Sequence, residues 1–169
     1  MMTTAPVYVG LGGNLPSRFG EPIQTCEAAL TAMQARGLAI VRRSRWYKSA
    51  PVPPSDQPWF INGAVEVAGP AAADPVALLA LLKGVERDFG RAAAARNAAR
   101  IVDLDILAMG TLVRAEEPAV PHPRMHERAF VLLPLSEIAP AWTHPASGSS
   151  LADLVRLLPA GQHAEPVSA

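Results

Sequence analysis

Ile101-Val102-Asp103-Leu104-Asp105-Ile106-Leu107-Ala108-Met109 is the stretch on which the reading of the fold turns. It is short, mostly apolar and bounded by Arg100 and Gly110, so it reads as a buried strand. Residues two apart on a strand face the same way. Val102, Leu104 and Ile106 then point into a core. Asp103 and Asp105 share the other face, roughly 7 Å apart along the strand. This strand is the last of a series. Val7-Tyr8-Val9-Gly10-Leu11 reads as a first buried strand, running into a turn at Gly12-Gly13-Asn14. Ile23, Cys26, Leu30 and Met33 recur at helical spacing between about Pro22 and Arg36, and Gly37 is a stop. Leu38 to Lys48 reads as a strand. Four prolines make Ser49 to Pro58 a loop. Trp59 to Val67 reads as another strand, with Phe60, Asn62 and Ala64 on one face.

Asp74-Pro75 is a helix start, an N-cap aspartate with proline at the first helical position. Leu78, Leu82, Val85 and Phe89 form its apolar stripe and Gly90 ends it. Arg91 to Arg100 reads as an exposed loop into the acidic strand. The order is strand, helix, strand, strand, helix, strand. That predicts a ferredoxin-like α+β fold, a split βαβ core whose antiparallel sheet is covered by helices. After it, Leu112 to Arg114 read as a short return strand. Phe130 opens an apolar run, Ser136 to Ala139 a helical turn, and Leu151 to Leu158 a last helix. The 169 residues suggest one domain, with 159–169 a loose tail.

Composition narrows the function classes. Half the residues are hydrophobic and the formal net charge is zero, so nothing suggests a general nucleic-acid or membrane-surface binder. Cys26 is the only cysteine, which excludes an intrachain disulfide and a cysteine-built zinc site. Residues 1–6 lack the pattern of a signal peptide, and no apolar run reaches the ~18 residues of a membrane span. A cytoplasmic protein is expected.

The acidic pair carries the chemistry. Two neighbouring carboxylates repel, and a divalent cation relieves that cost. Mg²⁺ prefers one or two carboxylates plus water and substrate phosphates. The other reading is an exposed strand face with two solvated acids. Arg91, Arg96 and Arg100 precede the pair in sequence. Guanidinium groups fork onto phosphate oxygens, and a basic loop beside a carboxylate metal site suits phosphoryl transfer. Each arginine read alone is also a solvated side chain. His122 sits between Pro121 and Pro123 on a stiff backbone, placed either to meet a phosphate or ribose or to pack in a loop. Arg128 is a further phosphate candidate. Phe60 and Phe130 are candidates to stack on a flat heteroaromatic ring, with Asn62 reading its edge, although a lone Phe is more often core. Gly10-Leu11-Gly12-Gly13-Asn14 matches neither the dinucleotide fingerprint nor a P-loop, and reads as a place of close backbone approach.

As an ordered set these motifs are recognisable. Gly10-Leu11-Gly12-Gly13-Asn14-Leu15, Ser49-Ala50-Pro51-Val52, Asp56-Gln57-Pro58, Phe60-Ile61-Asn62, Glu86 with Gly90-Arg91, Arg100 with Asp103-Leu104-Asp105, and Pro121-His122-Pro123 through Arg128, Phe130 and Pro134-Leu135-Ser136-Glu137 span residues from about 5 to 158. In this the chain resembles the 6-hydroxymethyl-7,8-dihydropterin pyrophosphokinase family of folate biosynthesis. The resemblance implies transfer of pyrophosphate from ATP to the pterin's hydroxymethyl group, with release of AMP. It implies two Mg²⁺ ions on Asp103 and Asp105, and Arg91 and Arg100 as catalytic residues. It implies an ATP site of Glu86, Arg91, Arg100, Ile106, His122 and Arg128. It implies a pterin site of Ser49, Ala50, Val52, Phe60, Asn62, Asp103 and Phe130. The partners implied are these two small molecules, with no nucleic acid or membrane, and a monomer. One stretch departs from the pattern: Asn97-Ala98-Ala99-Arg100 has no aromatic residue and no Gly-Pro turn. That departure motivates an alternative, a non-catalytic pterin- or nucleotide-binding relative with a degenerate loop. A ferredoxin-like nucleic-acid module is a weaker third reading, because the strands lack paired exposed aromatics in a basic surround.

Overall fold

Seven residues, β1 (Val7–Gly13), run up the interior of the sheet between two antiparallel neighbours. The structure is a computed structural model, and it describes residues 5–90 and 99–167. The elements that follow are α1 (Pro22–Ala35), β2 (Ala39–Arg43), β3 (Tyr47–Ser49), β4 (Phe60–Ala68), α2 (Pro75–Asp88), β5 (Asp103–Met109), α3 (Ala129–Ile138), α4 (Leu151–Arg156) and β6 (Ala164–Pro166). The sheet order is β5-β1-β4-β3-β6, and β2 also pairs with β4. All these pairings are antiparallel. Taking β2 and β3 together as one interrupted strand, the first four positions are those of the predicted split βαβ core.

Alternation along the strands divides the sheet into two faces. Val7, Val9 and Leu11 of β1, Val65 and Val67 of β4, and Leu104 and Ile106 of β5 meet α1 and α2 through Leu30, Met33, Leu78, Leu82 and Val85. On the opposite face Tyr8, Ala64 and Leu107 pack beneath Leu132, Leu135 and Leu151 of α3 and α4. That second layer covers only part of the face. The uncovered part carries the cleft described below.

Helix punctuation follows the sequence reading. Asp74 caps α2, its carboxylate accepting the Ala77 N–H at 3.2 Å, with Pro75 at the first helical position. Such a cap contributes about 1 kcal/mol. The apolar run from Phe130 belongs to a helix, α3, whose end includes the expected turn at 136–139.

Four expectations change. Gly12 and Gly13 do not form a turn but stay in β1, paired with Asn62 and Ile61 of β4. The strand expected over 38–48 is broken at Ser44–Trp46. There the Ser44 hydroxyl takes the place of a ladder partner, accepting the Ala64 N–H at 3.0 Å. Trp46 swings over Gly63, where a Cβ would stand 2.5 Å from the indole ring. Leu112–Arg114 is not a strand; only an isolated bridge joins Arg114 to Val120. The tail expected to be loose supplies β6, which pairs with β3.

Gly13 shows why a side chain is absent at the end of β1. A Cβ there would lie 2.3 Å from the Ile101 carbonyl oxygen, which is main chain and cannot step aside. Gly13→Ala is expected to destabilise the fold by about 1–3 kcal/mol through overpacking. Urea unfolding of the two proteins measures it, and an unchanged midpoint would contradict the close approach.

Candidate active site

The register across the sheet builds the floor of a cleft. Asp103 lies opposite Gly12 and Asp105 opposite Gly10, while Gly12 on its other side faces Asn62. Two glycines between an acidic edge and an amide thus leave an open strip above the backbone. The cleft over this strip has an empty volume of about 1050 Å³, part of it open to solvent. Its walls come from three places. Ser49 ends β3 and Ala50 and Val52 follow it, Phe60 and Asn62 belong to β4, and Arg128 and Phe130 flank the start of α3. Arg100, Asp103, Asp105 and Gln57 complete the lining.

Local contacts set the side chains. The buried Ser49 hydroxyl donates to Asn62 Oδ1 at 2.6 Å, a diagonal cross-strand pair that leaves the amide nitrogen toward Gly12. Arg128 holds its guanidinium 5.5 Å from the Phe130 ring centre, a cation–π arrangement. Burial lowers the Arg128 pKa, while the charges of Asp105 and Asp103 work against that shift. One wall of the cleft is therefore basic and aromatic and faces an acidic edge.

Asp103 and Asp105 fit a magnesium ion by their chemistry. Both are half-buried oxygen donors on one face of one strand, open to the same cleft. Among the described residues no group of three or more His, Cys, Asp or Glu side chains forms a protein cage. A pair of carboxylates completed by water and phosphate oxygens is the donor set that Mg²⁺ accepts.

A family model described as 7,8-dihydro-6-hydroxymethylpterin-pyrophosphokinase (HPPK) matches residues 8–140. The chain belongs to this family. A 2-amino-4-hydroxy-6-hydroxymethyldihydropteridine pyrophosphokinase of Pseudomonas aeruginosa is 39% identical over 155 residues, covering 90% of this chain and 91% of that protein. The protein of the same name from Synechocystis is 37% identical over 151 residues, 87% of this chain and 73% of its own length. A crystal structure of a Plasmodium falciparum HPPK-DHPS triple mutant with pteroate superposes with a TM-score of 0.68 over 91% of this chain at 15% identity. The chain spans only 41% of that protein, and the likeness speaks for the fold alone. The family transfers pyrophosphoryl groups in folate biosynthesis, and this chain is a pyrophosphokinase of that family.

Most of the residues singled out in the HPPK pattern come together in the cleft: Ser49, Ala50, Val52, Phe60, Asn62, Arg100, Asp103, Asp105, Arg128 and Phe130 all line it. Three do not. Ile106 is only 5% exposed and packs in the core under α1 and α2, so its side chain is turned away from the cleft. Glu86 is 4% exposed, and its carboxylate accepts the Leu104 N–H at 2.8 Å. It thereby holds the stretch of β5 between the two aspartates. His122 lines a neighbouring hollow with Arg114, His126 and His144. Its main-chain N–H continues the sheet edge, donating to the Leu107 carbonyl at 2.9 Å. Arg91, Arg96 and, in the altered stretch, Asn97 and Ala98 lie outside the described residues.

His122 is a neutral imidazole at pH 7. Burial, seconded by the Arg128 charge, pushes its pKa down from 6.5 to about 4, and Nδ1 accepts the Arg124 N–H at 3.1 Å. The unfolded chain then binds a proton that the folded chain refuses. Its contribution to stability is complete above pH 6.5 and is lost as the pH falls toward about 4. Thermal midpoints of the wild type should drop across that window more than those of His122→Asn, and parallel curves would contradict a half-buried neutral ring.

One residue carries a role that its sequence neighbourhood did not reveal. Asn14, 1% exposed, accepts the Arg100 N–H at 2.8 Å and donates to Gln57 Oε1 at 3.1 Å and the Pro58 carbonyl at 3.0 Å. Its own N–H and that of Leu15 donate to the Arg100 carbonyl. One amide thus ties the end of β1 to the segments entering β4 and β5. The available signal was a polar residue directly after an apolar strand and two glycines, which also describes an ordinary turn.

Proposed function

We propose that the cleft takes MgATP and 6-hydroxymethyl-7,8-dihydropterin and makes the pterin diphosphate and AMP. The observation that carries this reading is the row Asp103–Gly12–Asn62 across three strands, which sets an acidic edge and an amide on either side of a bare floor. A flat ring on that floor has Asn62 at its edge and Phe60 and Phe130 to stack on. The triphosphate then lies toward Asp103 and Asp105, with Arg128 and Arg100 presenting guanidinium groups to its oxygens. Bound at the two aspartates, Mg²⁺ ions supply charge neutralisation on the phosphate oxygens.

In the reaction the pterin hydroxymethyl oxygen attacks the β-phosphorus and releases its proton to solvent, and the bond from that phosphorus to the oxygen bridging it to the α-phosphate breaks, releasing AMP. Holding the two reactants in line is most of the work of a phosphoryl transfer enzyme. Asn62 and the two phenylalanines orient the pterin, and the arginines stabilise the spreading phosphate charge. Glu86 keeps β5 in register beneath the aspartates. From the resemblance, Arg91 adds a further cation and His122, which stands in the neighbouring hollow, adds an uncharged hydrogen-bond donor to the phosphates. Within this reading the protein works as a monomer in the cytoplasm. No helix among the described residues is long and apolar enough to cross a membrane.

The test is direct. Protein, MgATP and the hydroxymethyl dihydropterin are mixed and AMP is measured. Binding of both substrates without AMP would favour the non-catalytic relative instead. Turnover that is indifferent to Mg²⁺ removal would refute the role given to the aspartates.

A further inference from the structure

The C-terminal segment is fastened to both walls of the cleft. On one side β6 pairs with β3, and the His163 carbonyl accepts the Ala50 N–H at 3.1 Å. The His163 ring also packs on Trp59, with centres 5.0 Å apart, next to Phe60. On the other side the Gln162 amide grips a turn at two points. Its Nε2 donates to the Glu127 carbonyl at 2.6 Å, and its Oε1 accepts the Ala129 N–H at 2.8 Å. Glu127 and Ala129 are the chain neighbours of Arg128.

The grip answers a local deficiency. The first N–H groups of a helix have no partner inside it. A short polar residue at the cap position normally accepts one of them. At the start of α3 that position is Arg128, whose side chain makes no capping bond. Gln162 supplies the missing acceptor from 33 residues away along the chain. Gly161 makes this possible, since its φ of 90° is the left-handed turn that points residue 162 back at α3.

We propose that Gln162 is a positioning residue for substrate binding: by fixing residues 127–129 it aims Arg128 and Phe130 and sets the width of the cleft against the Ala50 wall. This inference rests on the functional reading above. Arg128 and Phe130 are linked by their cation–π contact, so a turn released at 127–129 moves both together. Gln162 touches neither substrate. It acts through the wall it holds.

Steady-state kinetics and pterin calorimetry on the full chain test it. Gln162→Ala is expected to raise the KM for ATP and the pterin dissociation constant by about fivefold to tenfold each, the scale of one or two lost hydrogen bonds. The expected change in kcat is under about threefold, because only Arg128 is loosened while Arg100, Asp103 and Asp105, held by other contacts, still meet the reacting phosphates. Gln162→Glu, which still accepts from Ala129 but cannot donate to Glu127, is expected to fall between. Adding Gln162→Ala to Arg128→Ala should raise the ATP KM no further, since coupled residues are not additive. A lowered thermal midpoint with both binding constants within twofold of wild type would mean a purely structural role and would overturn the proposal. If the alanine variant does not fold, the glutamate variant is read in its place by the same criteria. Wild-type protein that makes no AMP refutes the functional reading instead. Pterin binding that is unchanged in the variant refutes this inference whether or not AMP is made.

Discussion

Asp103→Ala and Asp105→Ala are each expected to cut AMP formation by about a thousandfold, because each removes a ligand whose metal stabilises several kcal/mol of transition-state charge. The fold should survive. Both side chains face the cleft and are only half-buried, while the neighbours that hold β5 in place, Leu104 and Ile106, are untouched. The variants also separate two explanations for the loss. If the aspartates act through Mg²⁺, nucleotide affinity in the wild type rises with Mg²⁺ and in the variants does not. If they act only as negative charges near the pterin, Mg²⁺ titrations of wild type and variant run parallel. Asp→Asn replacements sharpen the comparison: they keep the shape and an oxygen but lose the charge a hard cation requires. Activity near the wild-type level in either alanine variant would remove the central argument for phosphoryl transfer at this face of the sheet.

Asn14→Ala is expected to be the most damaging change at a residue that touches no substrate. It leaves the Arg100 N–H, Gln57 and the Pro58 carbonyl without the one amide that joins them. Losing these three part-buried hydrogen bonds costs about 1–3 kcal/mol of stability. The effect on turnover should exceed that on stability. Arg100 enters the cleft from the residue that Asn14 pins, and a displacement of about 1 Å in a catalytic group can cost on the order of a hundredfold. Asn14→Asp keeps the acceptor for Arg100 but turns a carboxylate oxygen toward the Pro58 carbonyl, so it should fold poorly despite its near-identical shape. Thermal unfolding with kcat on the surviving folded fraction measures both effects. An alanine variant with wild-type kcat would show that Arg100 needs no such anchor.

The framework of the fold is legible in local pattern. Apolar runs of strand length, a helical stripe at Leu78, Leu82, Val85 and Phe89, and the Asp74-Pro75 start each depend on residues within about four positions of one another. Such signals survive whatever the rest of the chain does. The acidic pair was legible for the same reason, since a period of two puts Asp103 and Asp105 on one face by geometry alone. Where local pattern misled, a distant contact had taken over. Two polar-looking turn residues, Gly12 and Gly13, stay in β1 because β4 and the chain before β5 run alongside them. The strand at 38–48 breaks because Ser44 satisfies Ala64 and lets Trp46 cover Gly63. Residues 164–166 have too little apolar character to be read as a strand, and become one because β3 offers an unpaired edge.

The acidic pair therefore divides the question cleanly. That two carboxylates stand side by side on a buried strand follows from nine consecutive residues. That they stand beside a bare glycine floor, across from Asn62 and beneath Arg128, follows from register between strands some 40 to 90 residues apart, which no local period encodes. The same holds for Asn14 reaching Arg100 over 86 positions and Gln162 reaching Ala129 over 33. Backbone preference and side-chain period act over one or two turns of chain, so they specify elements and faces. Which faces meet is decided only when the apolar sides of α1, α2 and α3 are buried together, because that burial, and not any local preference, selects the register.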